Sequence, residues 1–142
     1  MPNDAYDALF DAWGKALNVD PQLVKTVFHL ESSGGKNIGK SLPNDPDSPV
    51  GPMQIRPSTA APLAKALGIP GTPDLGDMRW AVPLATQYLA QGLTATGNPS
   101  DAMAYYFGGP DPGQWGKNTE AYVQKGEGLY PTMGLKMPQQ GP

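Results

Sequence analysis

The chain contains no cysteine and a single histidine, His29. The first absence excludes disulfides, thiolate metal sites and cysteine nucleophiles. The second leaves no histidine pair for a metal centre and argues against a Ser-His triad. No metal and no cofactor is therefore expected. Charge is sparse too, at 16% of residues, with a net charge of -3 and no run of Lys or Arg. A nucleic-acid binder shows a basic stripe, so that class is set aside. No apolar stretch approaches the ~18 residues of a membrane span, and membrane insertion is not expected. The opening Met1-Pro2-Asn3-Asp4 lacks the basic-then-apolar order of a signal peptide. Export by another route, or excision from a longer protein, is the expectation.

What is abundant is glycine and proline, 18 and 17 of 142 residues. Such a content borders on low-complexity disorder. The apolar residues nevertheless recur at helical spacing between the Gly/Pro clusters. One domain is expected over 1–131, mainly α, with long loops and at most a small β-hairpin. Residues 132–142 read as a flexible tail, and the domain as a monomer.

Asn3 or Asp4 can cap a first helix to about Leu17, with Ala5, Leu9, Ala12, Trp13, Ala16 and Leu17 on one stripe. Asp7 and Asp11 fall off that stripe. Asp20-Pro21 marks a second start, cap then first helical residue. Its apolar face runs through Leu23, Val24, Val27 and Phe28, and Glu31 extends it. A carboxylate closing an apolar stripe is the first anomaly. Ser32-Ser33-Gly34-Gly35 ends the helix. Residues 34–57 read as a proline-rich loop, with a short strand or turn at 50–55. A loop this long in a compact domain is usually functional or disordered. Further helices are expected from a Ser58 cap to Gly68, from about Asp77 to Leu93, from a Ser100 cap to Phe107, and from a Thr119 cap to about Tyr130. Pro83 fits only near a helix start.

Five blocks carry the chemistry. They are Glu31-Ser32, then Gly51-Pro52-Met53-Gln54-Ile55, then Pro57 with Thr59-Ala60, then Ala104-Tyr105 ahead of Gly108, and Tyr122-Val123. In this order they resemble the soluble lytic transglycosylases and their relatives, the goose-type lysozymes. That pattern is Glu-Ser at a helix end, Gly-Leu-Met-Gln-Ile, Pro-x-Thr-Ala, Ala-Tyr-Asn-Ala-Gly and a late Tyr-Val. The likeness covers about residues 5 to 130 and implies a lysozyme-like helical fold. It implies Glu31 as the single catalytic acid and Ser32 as the residue shaping the turn beside it. It also implies Met53 and Gln54 along a sugar cleft, with Tyr105 and Tyr122 near the carboxylate. The implied substrate is the glycan strand of peptidoglycan. The chain departs from the pattern at Pro52, at Tyr106 and Phe107, at Ala81-Val82 and at Ala85.

The residues themselves agree with that role. Glycosidic cleavage needs a proton on the leaving oxygen, and a carboxyl supplies it near neutrality only when burial raises its pKa. Glu31 on an apolar stripe carries the mark of burial. Ordinary glycosidases add a second carboxylate. A lytic transglycosylase instead lets the muramic C6 hydroxyl attack C1, closing a 1,6-anhydro ring. Asp45 and Asp47 read as turn chemistry, with a water-positioning acid as the sharper alternative. Arg56 stands where goose-type lysozymes often carry an acid, and a cation cannot serve as base. Met53 could equally be core and Gln54 a cleft residue. Three successive aromatics, Tyr105, Tyr106 and Phe107, cannot share one helix face, so at least one should line a surface or groove. Trp115 either stacks on sugar or pins its loop. The expectation is a peptidoglycan lytic transglycosylase of a phage virion or a cell envelope. The alternatives are a hydrolytic muramidase and a non-catalytic glycan-binding module.

Overall fold

A computed structural model describes residues 2–39 and 42–137. Among these residues there are six α-helices and no strand. The helices are α1 (Asp7–Leu17), α2 (Pro21–Ser32), α3 (Pro57–Ala66), α4 (Met78–Thr96), α5 (Pro99–Gly108) and α6 (Lys117–Leu129). A single antiparallel bridge, Val50 to Ile55, closes a tight turn in the long loop. The central helix α4 packs on α5 and α1, while α2 contacts α1, α4 and α6. Phe10, Val24, Val27, Phe28, Val82, Leu84, Leu89 and Met103 are fully buried between them.

The starts of the helices follow proline more closely than serine. Asp20 accepts from the Gln22 N–H and Pro21 takes the first helical position. The same cap-and-proline pair opens α5, where Asn98 accepts from Asp101 N–H ahead of Pro99, so Ser100 lies inside the helix. α3 starts at Pro57 with Arg56 as N-cap, displacing the expected Ser58, and it ends at Ala66. α6 starts at Lys117 after Gly116, two residues before the expected Thr119. Proline supplies a preset φ and lacks the N–H that would be orphaned there. The helix expected from about Asp77 to Leu93 runs from Met78 to Thr96 with Asp77 as its N-cap, and Pro83 falls six residues into it. Its ring forfeits one backbone bond, in a stretch where Val82, Leu84 and Ala85 are all fully buried.

α1 begins at Asp7, later than a cap at Asn3 or Asp4 would set it, and Asn3 Oδ1 closes only a local turn by accepting from the Ala5 N–H. The Asn3 side-chain amide donates to the Gly34 carbonyl, and the Asn3 backbone N–H donates to His29 Nε2. Asp4 accepts from Lys25 Nζ at 2.6 Å. Asp7, expected off the packed face, is 1% exposed and accepts from the same Nζ at 2.9 Å. Lys25 is itself wholly buried on α2. Its third donor reaches the Gly134 carbonyl, and Asp7 Oδ2 also accepts from the Lys136 N–H. One buried cation thus ties α1, α2 and the segment after α6 together. Residues 132–137, expected as the start of a tail, are held by these bonds and by Met133, which is buried. Residues 138–142 of the expected tail lie outside the described residues.

Gly51 opens the Val50–Ile55 turn at φ +76°, and a Cβ there would lie 1.9 Å from the Leu75 carbonyl oxygen. Gly51→Ala should therefore move the turn or unfold it, with a loss of more than about 1 kcal/mol in urea denaturation. Lys25→Ala strands the buried Asp7 carboxylate. A loss of about 3–5 kcal/mol is expected. Lys25→Ala paired with Asp7→Ala should lose less than the sum of the two single changes in the same measurement.

Candidate active site

Glu31 occupies the last turn of α2, whose end is set by Ser33 in the left-handed region at φ 52°. Ser32, the residue between, is buried and turns away from solvent. Its Oγ donates to the Phe28 carbonyl and accepts from the Gly35 N–H. Ser32 therefore shapes the turn and does not line the cleft, contrary to a substrate-contact role. The helix end projects Glu31 into a cleft of 530 Å³. Gln54 and Arg56 from the long loop border it, with Tyr88 of α4 and the Tyr106–Pro110 stretch. Among the described residues lining this cleft, Glu31 is the one acidic side chain.

Tyr122 of α6 donates its hydroxyl to Glu31 Oε2 at 2.7 Å. Burial is the dominant influence on the carboxyl and lifts it from 4.5 to about 7, while the Tyr122 hydrogen bond pulls the other way. A carboxyl poised near neutrality can both give and take a proton at working pH. Burial also raises the Tyr106 and Tyr122 phenols, with Glu31 adding to the effect, so both remain protonated donors.

Sequence reasoning pairs Tyr105 with Glu31, and the structure differs by one residue. Tyr105 lies half-buried against α4, edge-on to Tyr88 at 5.3 Å and close to Gly92. Tyr106 faces inward instead, donating to the Met53 carbonyl at 2.7 Å and bordering the cleft. A helix advances 100° per residue, so a one-position slip in a motif changes the face. Matching Tyr106 to the motif tyrosine puts Phe107 at its asparagine and Gly109 at its glycine. The motif glycine is met by Gly108 in one register and by Gly109 in the other, so the two registers are not separated by the glycines alone.

Met53 is fully buried in the core, so its side chain does not line the cleft, and only its carbonyl serves the site. Gln54 does line the cleft. It adopts φ 50°, rare for a residue with a Cβ, and its Nε2 folds back to the Gly51 carbonyl at 2.8 Å. The Tyr106 bond to Met53 anchors this strained turn. Thr59, from the Pro-x-Thr-Ala block, and Phe107, from the aromatic run, also border the cleft, as does Tyr88, which carried no mark in the sequence. Phe107 is 46% exposed and stacks on Tyr122, with ring centroids 4.6 Å apart and planes at 27°.

Asp45 and Asp47 stay outside the cleft. Asp47 accepts from the Ser58 N–H and hydroxyl, and these bonds hold its carboxyl below the usual range. Arg56 donates to the Asp47 carbonyl, with Asp45 at 3.9 Å. Trp115 donates its indole N–H to the Gly109 carbonyl and packs where a Gly108 Cβ would sit, so it pins the cleft wall from behind. A wider hollow of 870 Å³ on the α1 side is lined by Tyr6, Phe28, Lys36 and Arg79. Its carboxylates, Asp74 and Asp77, accept from the Gly76 and Arg79 backbone N–H groups. Among the described residues no group of three or more His, Asp or Glu could hold a metal ion.

Residues 8–126 match the model of the transglycosylase SLT domain. A transglycosylase of Enterobacteria phage PRD1 is 30% identical over 108 residues, covering 76% of this chain and 36% of that protein. An inactive mutant of the lytic transglycosylase Slt from Pseudomonas aeruginosa superposes with a TM-score of 0.73 at 21% identity, over 93% of this chain and 24% of that one. The 70 kDa soluble lytic transglycosylase from Escherichia coli gives a TM-score of 0.64 at 24% identity, over 89% and 19%. The chain thus spans about a third of the phage protein's length and a quarter or less of the two bacterial proteins. These structures share the mainly helical, lysozyme-like fold.

The raised carboxyl has a thermodynamic signature. A group whose folded pKa, about 7, exceeds its unfolded value of 4.5 favours folding below that unfolded value and loses the benefit as pH rises through 7. Glu31→Gln does not titrate. Relative to wild type it should gain stability between pH 4.5 and 7.5, by up to ~3 kcal/mol, in paired denaturant titrations. A pH-independent difference would contradict the buried-acid assignment.

Proposed function

The chain belongs to the transglycosylase SLT domain family, and we propose that it is a peptidoglycan lytic transglycosylase domain with Glu31 as its single acid/base. The substrate is the glycan strand, cut at the MurNAc-β-1,4-GlcNAc bond. The observation that carries this reading is the Tyr122–Glu31 hydrogen bond at 2.7 Å, beside a carboxyl raised to about 7 in a cleft with no second acid among its described lining.

The chemistry follows from that arrangement. The Tyr122 hydroxyl occupies Oε2, leaving Oε1 to carry the transferable proton. Glu31 gives this proton to the glycosidic oxygen as the C1–O bond breaks and the GlcNAc hydroxyl leaves. Positive charge at C1 is shared with the ring oxygen, with the muramic N-acetyl group in reach to assist. The C6 hydroxyl of the same sugar then attacks C1, and its proton returns to the Glu31 carboxylate. The ring closes as 1,6-anhydro-MurNAc, no water is consumed, and the acid is regenerated. A tethered nucleophile gains a large effective molarity, so the reaction needs no second carboxylate to hold water. Inverting hydrolysis would need one roughly 6.5–9.5 Å from the acid. Asp45 and Asp47, the alternatives for that part, are engaged with Arg56 and Ser58 outside the cleft.

Gln54, Tyr88 and Phe107 line the cleft and are assigned to sugar contact. Tyr122 positions the acid, and Tyr106 positions the Gln54 turn. The likeness to a phage protein supports a phage origin and action on the host envelope. Among the described residues no helix is long and apolar enough to cross a membrane.

Digestion of purified cell walls tests the reaction. Muropeptides should end in 1,6-anhydro-MurNAc, one water lighter than hydrolytic products and without a reducible end. Borohydride-reducible MurNAc as the dominant new terminus would replace this reading with a muramidase. Glu31→Gln should lose roughly two orders of magnitude or more in rate with its circular dichroism unchanged. Wild-type kcat/KM should fall above about pH 7, where the acid loses its proton.

A further inference from the structure

Among the described residues four large apolar side chains are exposed, Ile38, Leu42, Phe107 and Met137, and of these Phe107, at 46%, borders the Glu31 cleft. One face of its ring stacks on Tyr122. Tyr122 in turn touches Glu31 through its hydroxyl. Phe107 therefore covers one face of the Tyr122 ring, whose hydroxyl, at the ring's edge, holds Glu31, and Phe107 and Glu31 both border the cleft. An exposed phenyl ring forgoes part of the gain from burial. Here the ring covers a buried phenol that bonds a half-buried acid.

We propose that Phe107 is a positioning residue for the acid, shielding the Tyr122–Glu31 pair from water and holding the phenol in place. The proposal deepens the reading of Glu31 as the acid/base and rests on it. Phe107 need not touch the reacting atoms, and its influence passes through Tyr122.

The surroundings of Glu31 leave desolvation as the main influence on its charge. Tyr122 faces it from α6, Tyr106 from α5 and Tyr88 from α4, all across or beside the cleft. Arg56, ahead of α3, is the charged residue lining the cleft with it, and its guanidinium is directed to Asp47 and Asp45. On α2 itself, His29 accepts from Asn3, and Lys25 is engaged with Asp4 and Asp7. Burial is the largest cause of the raised carboxyl, and the Tyr122 bond opposes it. Two effects of losing Phe107 therefore pull apart. Water entry lowers the Glu31 midpoint, whereas a loosened Tyr122 bond raises it. With burial the larger cause, the net shift is downward.

The test is a titration of the Glu31 side-chain carboxyl by carbon-13 NMR in the full chain, as wild type, Phe107→Asn and Phe107→Leu. Asparagine removes the ring and brings a polar group, while leucine keeps an apolar cover of similar reach. Phe107→Asn should lower the midpoint by about half a pH unit or more, and Phe107→Leu should restore most of the difference. Phe107→Ala carries the same expectation as asparagine and serves if that variant folds poorly. A midpoint in both polar and truncated variants that is unmoved or raised would overturn the shield. The titration reads the acid directly, so it stands apart from catalysis. If the chain turns over glycan, the falling limb of kcat/KM should move with the midpoint. A shifted midpoint in a chain that cleaves nothing would count against the catalytic reading and leave the shield intact.

Discussion

The hydrogen bond between Tyr122 and Glu31 joins positions 91 residues apart in the chain, and the architecture is arranged to bring them together. Glu31 must leave the end of α2, where the helix stops and the side chain can reach a cleft. Tyr122 must come from α6, packed alongside. Neither helix could hold that distance alone. α4 and α5 wedge between the two halves, with α6 resting on α5 and α2 touching both α4 and α6. A carboxyl so placed is desolvated enough to keep its proton near neutrality, yet open enough on one side to reach a ligand. Full burial would have left it inert, and exposure would have left it an ordinary acid.

A second constraint acts nearer the middle of α2. Lys25 is wholly buried, with Asp4, Asp7 and the Gly134 carbonyl around its ammonium. Such a cluster gains little net stability over an apolar packing, because each charge has been stripped of water. What it does supply is position. It fixes the face that α2 turns to α1, and hence the direction in which Glu31 leaves the helix two turns later. Asp7 Oδ1 has no hydrogen-bond partner in this cluster, so the network is not fully satisfied. The half-buried acid at one end of α2 and the buried cation near its middle are handled differently. The cation is paired with carboxylates, whereas desolvation raises the acid to about 7.

The loop between α2 and α3 contributes through its turn. Gly51 must approach the Leu75 carbonyl, Gln54 is held at positive φ, and Tyr106 grips the Met53 carbonyl from α5. These three features press a polar side chain into the cleft while Met53 stays in the core. Strained backbone persists where surrounding packing over-determines it, and such places gather at functional sites. The same logic applies on the opposite wall, where Trp115 needs Gly108 to lack a side chain so that the indole can hold Gly109.

Much of this was legible along the chain, and the rest was not, for identifiable reasons. Helical periodicity and the Asp20-Pro21 and Asp77 starts were readable because local backbone chemistry decides them. Glu31 stood out because a carboxylate on an apolar stripe is a local contradiction, and Tyr122 followed from the family pattern. Several helix starts were misjudged where a serine or threonine inside the first turn competed with a proline or glycine just before it. Asp7 falls off the apolar stripe of its helix, and its pairing with Lys25, 18 positions away, shows itself only when two helices meet. The aromatic run at 105–107 showed that its members must point in different directions. Which one turned toward Glu31 depended on the register of α5 against α4 and α6, a matter of side-chain packing across three helices. The sequence by itself therefore determined the helical class, the family likeness and Glu31 as the candidate acid. The tertiary structure decided Tyr106 over Tyr105, the core position of Met53, the exposure of Phe107 and the dry side of Glu31, because contact and desolvation are properties of neighbours brought together by the fold.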